Sequence, residues 1–237
     1  MKSLFLLTLR RALSPVRLLM LGGLALAPFA VTAMMLAVED GTAMSDFEAF
    51  ILNAMLAGAI IPLATLATAR AGFGDEISDR TLANVTLTPY PRWKIVLPKL
   101  LAVTSVPGLA MAATAGLTSY VAYGADLAAT WAVTVGAVAA VVLYSSLFVW
   151  LDLVTPHAVG IGLAYIVVWE GLFSRFIYGV RFLSLRSHSL AIAHGVDERR
   201  FADEEHTALG LSAVLAVVLI VALFFHATRR LRTMDVP

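Results

Sequence analysis

Long apolar stretches, separated by short polar segments, decide what this chain can fold into. Six of them approach or exceed the roughly 20 residues that a helix needs to cross the hydrocarbon core of a bilayer. The predicted spans are 18–38, 47–69, 95–121, 129–151, 158–176 and 207–226. Hydrophobic residues make up 60% of the 237 residues and charged residues 14%, against about a quarter in soluble domains. The sequence therefore predicts an all-α, polytopic membrane protein with six transmembrane helices in a single domain, 1–237, surrounded by membrane lipid.

The sequence also excludes several kinds of site. The chain contains no cysteine, which rules out disulfides and thiolate metal ligands. It has no G-x-x-x-x-G-K-[ST] loop for the phosphates of ATP and no G-x-S-x-G nucleophile motif. A net charge of +1 argues neither for nor against an anionic partner. We expect no catalytic residue, no cofactor, no bound metal and no nucleic-acid partner.

The distribution of lysine and arginine predicts the orientation. If the N-terminus is inside the cell, the inner segments carry twelve of these bases and the outer segments five, all five in one loop. The inner bases are Lys2, Arg10, Arg11, Arg17, Arg70, Arg80, Arg92, Lys94, Lys99, Arg229, Arg230 and Arg232. The outer bases are Arg175, Arg181, Arg186, Arg199 and Arg200. The positive-inside rule then predicts both termini in the cytoplasm. We expect the membrane to be the inner (plasma) membrane of the cell.

Two amphipathic segments lie outside the predicted spans. Residues 2–14 combine leucine and phenylalanine with Lys2, Arg10 and Arg11, a pattern typical of a helix that lies along the inner membrane interface. The outer segment 178–206 has apolar residues between its bases, which distinguishes it from a solvated loop. We expect a pair of short re-entrant or interfacial helices there, between the fifth and sixth spans.

One polar segment, 73–99, interrupts the apolar pattern for longer than any other in the first two thirds of the chain. Asp75 and Glu76 near its start are typical of a helix N-terminus. The spacing predicts a helix over about 75–85, in which Glu76 and Arg80 could pair on one face. The alternative is an ordinary solvated loop between two spans.

The order of residues in this segment resembles the loop after the second span of ABC-2-type transporter permeases. In that family an acidic residue precedes a Gly- or Arg-Thr-Leu step, a leucine-rich turn, a proline, a basic residue and a lysine that opens the third span. The matching positions here are Glu76, Arg80, Thr81, Leu82, Leu87, Thr88, Pro89, Arg92 and Lys99. Arg80 departs from many members, which have glycine before the Thr-Leu pair. The resemblance extends to the number of spans, the N-terminal interfacial helix and the re-entrant helices before the last span.

The resemblance implies a transport subunit without enzymatic activity of its own. Such a permease works with a second permease subunit, identical or related, and with two copies of a cytoplasmic ATP-binding subunit, usually as an exporter. The residues that would couple this chain to the ATPase are Asp75, Glu76, Ile77, Asp79, Arg80, Thr81 and Leu82. Because this segment lies outside the hydrocarbon, Glu76→Ala is expected to detach the partner and leave the membrane fold intact.

Other interpretations remain open at this point. One is a haem-exporter-type permease of cytochrome c maturation, and another is a membrane scaffold or enzyme that works without ATP. Glu170 is an intramembrane carboxylate and so a functional candidate, but its position near the outer end of a span favours a structural role. Asp152 is expected at the inner interface. His188, His194 and His206 share the outer loop with several acids, but their spacing matches no metal-binding signature, and a solvated turn is the simpler interpretation.

Overall fold

The fold is a bundle of helices. We describe it from a computed structural model, which covers residues 1–38, 47–82, 90–124, 126–173, 184–198 and 208–234 and contains no strand in those ranges. The helices are α1 (Lys2–Ala12), α2 (Pro15–Val38), α3 (Glu48–Ala69), α4 (Gly74–Ser78), α5 (Trp93–Tyr123), α6 (Leu127–Val154), α7 (Ala158–Ala164, continued by π-helical turns over Tyr165–Phe173), α8 (Leu185–Val196) and α9 (Leu209–Thr233). The predicted all-α class is confirmed for the described residues.

Five helices, α2, α3, α5, α6 and α9, are long and apolar enough to cross a membrane. They coincide with five of the six predicted spans. The last one, α9, extends beyond the predicted end at 226 as far as Thr233 and so includes the arginine-rich tail. The remaining predicted span, 158–176, corresponds to α7, whose apolar helix Ala158–Leu172 is shorter than the others. Residues 174–183 lie outside the described part of the chain, so a sixth crossing stays a prediction.

Helix α6 lies at the centre of the bundle and contacts α3, α5, α7, α8 and α9. Its buried aromatic side chains Tyr144 and Phe148 stack with ring centroids 5.9 Å apart. Small residues let neighbouring helices come close to it: a Cβ atom on Gly136 would lie 2.6 Å from the Cβ of Ala193 on α8. Any larger side chain at Gly136 would therefore push α8 away from α6.

The N-terminal segment forms α1, as predicted, and its buried residues Thr8 and Ala12 lie on the side that contacts α5. Leu6 and Leu7 are exposed on another side, which fits a helix whose apolar residues meet lipid. Its place at a membrane interface stays a prediction.

Between the last two spans the structure describes one short helix, α8, where the sequence predicted a pair. The flanking residues 174–183 and 199–207 lie outside the described residues, and so do the predicted outer bases Arg175, Arg181, Arg199 and Arg200. Helix α8 packs against α3, α6 and α9, and Arg186, His188 and Ser189 on it are buried. It is therefore seated inside the bundle at one end, which we call the α8 end; α4 lies at the opposite end, the α4 end.

Candidate functional site

Helix α4 follows α3 after a turn over 70–73 and is only five residues long, Gly74–Ser78. Asp75 and Glu76 occupy its first turn, where carboxylates interact favourably with the helix N-terminus. A helix begins where it was predicted, but it ends at Ser78, so the predicted extent over 75–85 is wrong within the described residues. The chain leaves the helix after Ser78, and Arg80 has a φ of 56°, in the left-handed region that a right-handed helix cannot continue through. Residues 83–89, which include the predicted leucine-rich turn and Pro89, lie outside the described part.

Glu76 lies between two bases from other helices. Its Oε1 accepts a hydrogen bond from Arg11 Nη1 at 3.1 Å, and its Oε2 accepts one from Lys99 Nζ at 2.5 Å. Glu76 is 8% exposed and Lys99 is fully buried. The predicted pair between Glu76 and Arg80 is wrong: α4 ends before Arg80, which is exposed to solvent.

The ammonium group of Lys99 has two further contacts in the segment that joins α3 to α4. It donates a hydrogen bond to the carbonyl oxygen of Gly72 at 2.6 Å and lies 4.4 Å from the ring centroid of Phe73. A buried ammonium needs such partners because it has lost its hydration. Lys99 therefore links helix α5 to Glu76 of α4 and to the segment that joins α3 to α4.

Asp75 holds the other side of α4. Its Oδ2 accepts a hydrogen bond from Arg17 Nη2 on α2 at 2.6 Å, and its Oδ1 lies 3.8 Å from Arg70 Nε at the end of α3. Arg17 also donates to the carbonyl oxygen of Arg11 at 2.8 Å, and Arg70 donates to Ser78 Oγ at 2.8 Å. Each acid of α4 thus contacts two bases. Those of Glu76 come from α1 and α5, and those of Asp75 come from α2 and from the end of α3.

Helix α6 also reaches this end of the bundle. A Cβ atom on Gly74 would lie 3.1 Å from both carboxylate oxygens of Asp152, so the first residue of α4 has little room for a side chain. Asp152 lies in the last turn of α6 and is only 5% exposed, because α4 covers it; its expected place at the inner interface stays a prediction. The glycine at this position therefore allows α4 to sit directly on α6.

The seven predicted coupling residues divide into an inner and an outer group. Glu76 and Leu82 are buried, and Asp75, Ile77 and Thr81 are half-buried. Asp79 and Arg80 are exposed, together with Ser78, which the prediction did not include. We call Ser78, Asp79 and Arg80 the α4 tip. The burial of Glu76 gives it a role inside the chain that the sequence did not indicate. We therefore expect Glu76→Ala to destabilise the fold as well as any contact with a partner.

Another buried carboxylate, Glu170, binds the start of α8 at the α8 end. It is fully buried and accepts hydrogen bonds from Tyr165 Oη at 3.0 Å, Ser184 Oγ at 2.6 Å and the backbone N–H of Leu185 at 2.9 Å. The N–H of Arg186 lies 3.4 Å from the same carboxylate. Glu170 thus satisfies the otherwise unpaired donors at the start of α8, which is a structural role.

Arg186 joins α8 to two other helices. Its Nε donates to Asn53 Oδ1 on α3 at 3.0 Å, its Nη2 donates to the same oxygen, and its Nη1 lies 3.5 Å from the carbonyl oxygen of Glu170. A guanidinium buried in this way is stable because each of its three nitrogens has an acceptor. From the sequence, Arg186 was predicted only to be one of five outer bases, and its contact with Asn53 was not predicted.

The described residues contain no group of three or more histidine, cysteine or acidic side chains that could hold a metal ion. His188 and His194 both lie on α8, one buried and one half-buried. His206 and the acids 203–205 lie outside the described ranges, so their predicted solvated turn stays a prediction.

Comparison with known proteins adds nothing to the evidence from the geometry. No family model, no curated protein and no solved structure matches this chain.

Proposed function

We propose that this chain is the membrane-spanning permease subunit of an ATP-driven, ABC-2-type exporter, with the α4 end facing the cytoplasm of the inner (plasma) membrane. One observation carries the proposal: a short helix with two acids, outside the long apolar helices, is joined by a base to each of four other helices. An ordinary solvated loop needs no such anchoring, because its polar groups are hydrated by water.

This anchoring suits a helix that transmits force. Lys99 and Glu76 are buried, and separating buried partners leaves each charge without its counterion, at a cost of about 3–5 kcal/mol. A push on the α4 tip is therefore passed to α1, α2, α3 and α5 together and does not simply bend the segment. In the proposed mechanism, closure of an ATP-bound nucleotide-binding dimer moves α4, and the helices joined to it switch the permease between inward-facing and outward-facing states.

Arg80 supports the resemblance on which the proposal also rests. Many ABC-2 permeases have glycine at this place, before the Thr-Leu pair, and the φ of 56° at Arg80 is a conformation that favours glycine. If members of the family share this backbone turn, it would account for their usual glycine. The arginine here adds a positive charge to the α4 tip.

The proposed assembly contains two permease subunits, identical or related, and two copies of an ATP-binding subunit. The apolar faces of α2 and α9 support a membrane setting, because few of their residues are buried within this chain and large side chains such as Leu19, Met34, Val214 and Phe225 are exposed. In the assembly these faces meet lipid or the second permease subunit, and the α4 tip meets the ATPase.

The test is co-expression with an ATPase subunit that carries Walker motifs and is encoded beside this chain. Changing both Asp79→Lys and Arg80→Glu reverses the charges of the α4 tip without touching the buried ion pairs. We expect this double variant to purify with much less ATPase and to lose transport-stimulated ATP hydrolysis, since charged contacts central to an interface are typically worth about 1–3 kcal/mol each.

The matched control is Arg232→Glu, which reverses an exposed charge at the same end of the bundle, on α9. It should retain the ATPase. If the double variant and the control behave alike, the α4 tip is not the docking surface and the coupling proposal fails.

A further inference from the structure

A surface that combines bases with leucines lies at the α4 end, where α1 packs against α5. On α1, Lys2, Leu6 and Arg10 are spaced four residues apart, so they share one face of the helix, and Leu7 lies beside them. All four are exposed, whereas Thr8 on the other side of the helix is buried. The exposed face of α1 therefore alternates positive charge with large apolar side chains.

The first turn of α5 continues this surface. Trp93 is 42% exposed, and Lys94 Nζ lies 5.5 Å from the centroid of its ring. Arg11 of α1 and Lys99 of α5 bind the same carboxylate, that of Glu76. Trp93 precedes Lys99 by six residues, a rise of only about 9 Å along an α-helix, so the last turn of α1 lies close to the start of α5. We call the shared surface the basic face; it consists of Lys2, Leu6, Leu7, Arg10, Trp93 and Lys94.

The positive charge of the basic face is not neutralised by the described part of the chain. Neither Lys2 nor Arg10 forms an ion pair there. Among the acids described at the α4 end, the two in the first turn of α4 each contact two bases, and Asp152 is buried. Asp79 is exposed, but it lies at the α4 tip next to Arg80. The basic face therefore attracts anions from its surroundings.

The apolar side chains between the bases decide the class of partner. At a lipid boundary leucine enters the acyl region, tryptophan lies at the level of the headgroups, and lysine and arginine extend their charged ends to the phosphates. The basic face also adjoins α2 and α5, two of the helices that are long and apolar enough to cross a membrane. This combination fits a phospholipid, and the charge of the face selects an anionic one over a zwitterionic one.

We propose that the basic face binds an anionic phospholipid, with the phosphate of its headgroup at Lys2 and Arg10 and its acyl chains against the two leucines. Each base near a membrane surface contributes enough attraction for about a fivefold preference for an anionic lipid. A lipid bound there holds α1 in place, and α1 supplies Arg11 to Glu76 of α4. The inference needs a membrane but neither ATP nor a partner subunit, so it goes beyond the proposed function.

The experiment measures the quenching of tryptophan fluorescence by brominated lipid, with the purified chain in phosphatidylcholine vesicles. A fixed share of the lipid is brominated phosphatidylglycerol in one series and brominated phosphatidylcholine, with the same acyl chains, in the other. The contribution of Trp93 is the difference between the unchanged protein and Trp93→Phe. We expect phosphatidylglycerol to have about a fivefold higher relative affinity than phosphatidylcholine at this position.

Trp131 provides a reference at the opposite end of the bundle. It is 65% exposed near the start of α6, at the α8 end. Its contribution, obtained in the same way with Trp131→Phe, should show no preference for the anionic lipid. Both variants replace a single exposed aromatic side chain by another aromatic one, so we expect both to fold.

Two double variants remove the same charge from the same end of the bundle. Lys2→Gln with Arg10→Gln neutralises α1 on the basic face and leaves the ion pair of Arg11 with Glu76 intact. The preference at Trp93 should fall towards unity. Arg229→Gln with Arg232→Gln neutralises two exposed bases of α9 and should keep most of the preference, because salt screens exposed charges over about 10 Å.

The proposal is overturned if phosphatidylglycerol quenches Trp93 no better than phosphatidylcholine. It also fails if the α9 variant loses the preference as fully as the α1 variant, since the attraction then belongs to the whole end of the bundle. Inorganic phosphate added at constant ionic strength should leave the quenching unchanged; displacement of the lipid would identify a site for free phosphate and refute the proposal.

Should the α1 double variant fail to fold, the comparison of Trp93 with Trp131 decides, and equal lipid preferences at the two positions refute the site. Because no ATPase is present, a negative result leaves the coupling proposal untouched. A loss of ATPase docking in the α4-tip variant likewise says nothing against the basic face.

Discussion

Removing the carboxylate of Glu76 tests whether buried ion pairs seat α4 on the bundle. In Glu76→Ala, Lys99 stays fully buried and loses its closest partner, at 2.5 Å, while it keeps the carbonyl oxygen of Gly72 and the ring of Phe73. Removing one member of a buried pair costs about 3–5 kcal/mol, and the remaining contacts of Lys99 favour the lower end, about 3 kcal/mol. Arg11 adds little to the loss, because its side chain is 42% exposed and can be hydrated.

The assay is thermal unfolding of the purified chain in detergent, followed by tryptophan fluorescence. For a chain of this size each kcal/mol lowers Tm by roughly 2–4 °C, so Glu76→Ala should unfold about 6–12 °C below the unchanged protein. The comparator is Asp79→Ala, which removes an exposed acid three residues further on and should change the free energy of unfolding by less than about 0.5 kcal/mol.

A double variant identifies the cause. Glu76→Leu with Lys99→Met replaces the buried pair by apolar side chains of similar size, a change that is often neutral, so most of the lost stability should return. Lys99→Met alone should be destabilising, since it leaves Glu76 with only the partly exposed Arg11. Equal Tm values for Glu76→Ala and Asp79→Ala would refute the reasoning, and so would a double variant less stable than either single one.

Four further results are expected. In this cysteine-free chain, Ser78→Cys should react with a membrane-impermeant thiol reagent only in inside-out vesicles and Glu198→Cys only in intact cells; labelling of Ser78→Cys in intact cells would contradict the orientation. Gly74→Ala should lower the free energy of unfolding by about 1–3 kcal/mol, because its Cβ would meet Asp152 at 3.1 Å, and Asp152→Ala should relieve this. Glu170→Leu should expose α8 to proteolysis, as loss of a buried acceptor of several hydrogen bonds costs about 3 kcal/mol or more, whereas Glu198→Leu should not. Native mass measurement of the ATPase complex should find two permease subunits, and a single one would argue against the proposed assembly.

The long helices could be predicted because hydropathy and length determine them locally. Five of the predicted spans coincide with long apolar helices, since a chain in lipid must satisfy its backbone hydrogen bonds within each segment. The bounds of α4 could not be predicted in the same way. They depend on the left-handed turn at Arg80 and on Gly74 fitting against Asp152, and neither depends on apolar periodicity.

The partners of the polar side chains could not be predicted from the sequence either. Glu76 meets Lys99, 23 residues away, and Arg11, 65 residues away, while Arg186 meets Asn53 at a separation of 133 residues. The sequence did not predict an acidic partner for Arg11 or Lys99, because the pairing of bases with acids is decided by how the helices pack. One signal was present: Lys99 stood in the family-like pattern together with Glu76, although nothing in that pattern indicated that the two side chains touch.

The two ends of the bundle seat their short helices by opposite arrangements of charge, and α3 connects them. At the α4 end the short helix carries the acids and the neighbouring helices supply the bases, including Arg70 at the end of α3. At the α8 end a buried acid, Glu170, precedes the short helix, whose Arg186 binds Asn53 on α3. Displacement of α4 would therefore act on one end of α3 through Arg70, and the other end of α3 is bound to α8 through Asn53. In the proposed exporter this makes α3 the element that would carry motion from the α4 end to the α8 end.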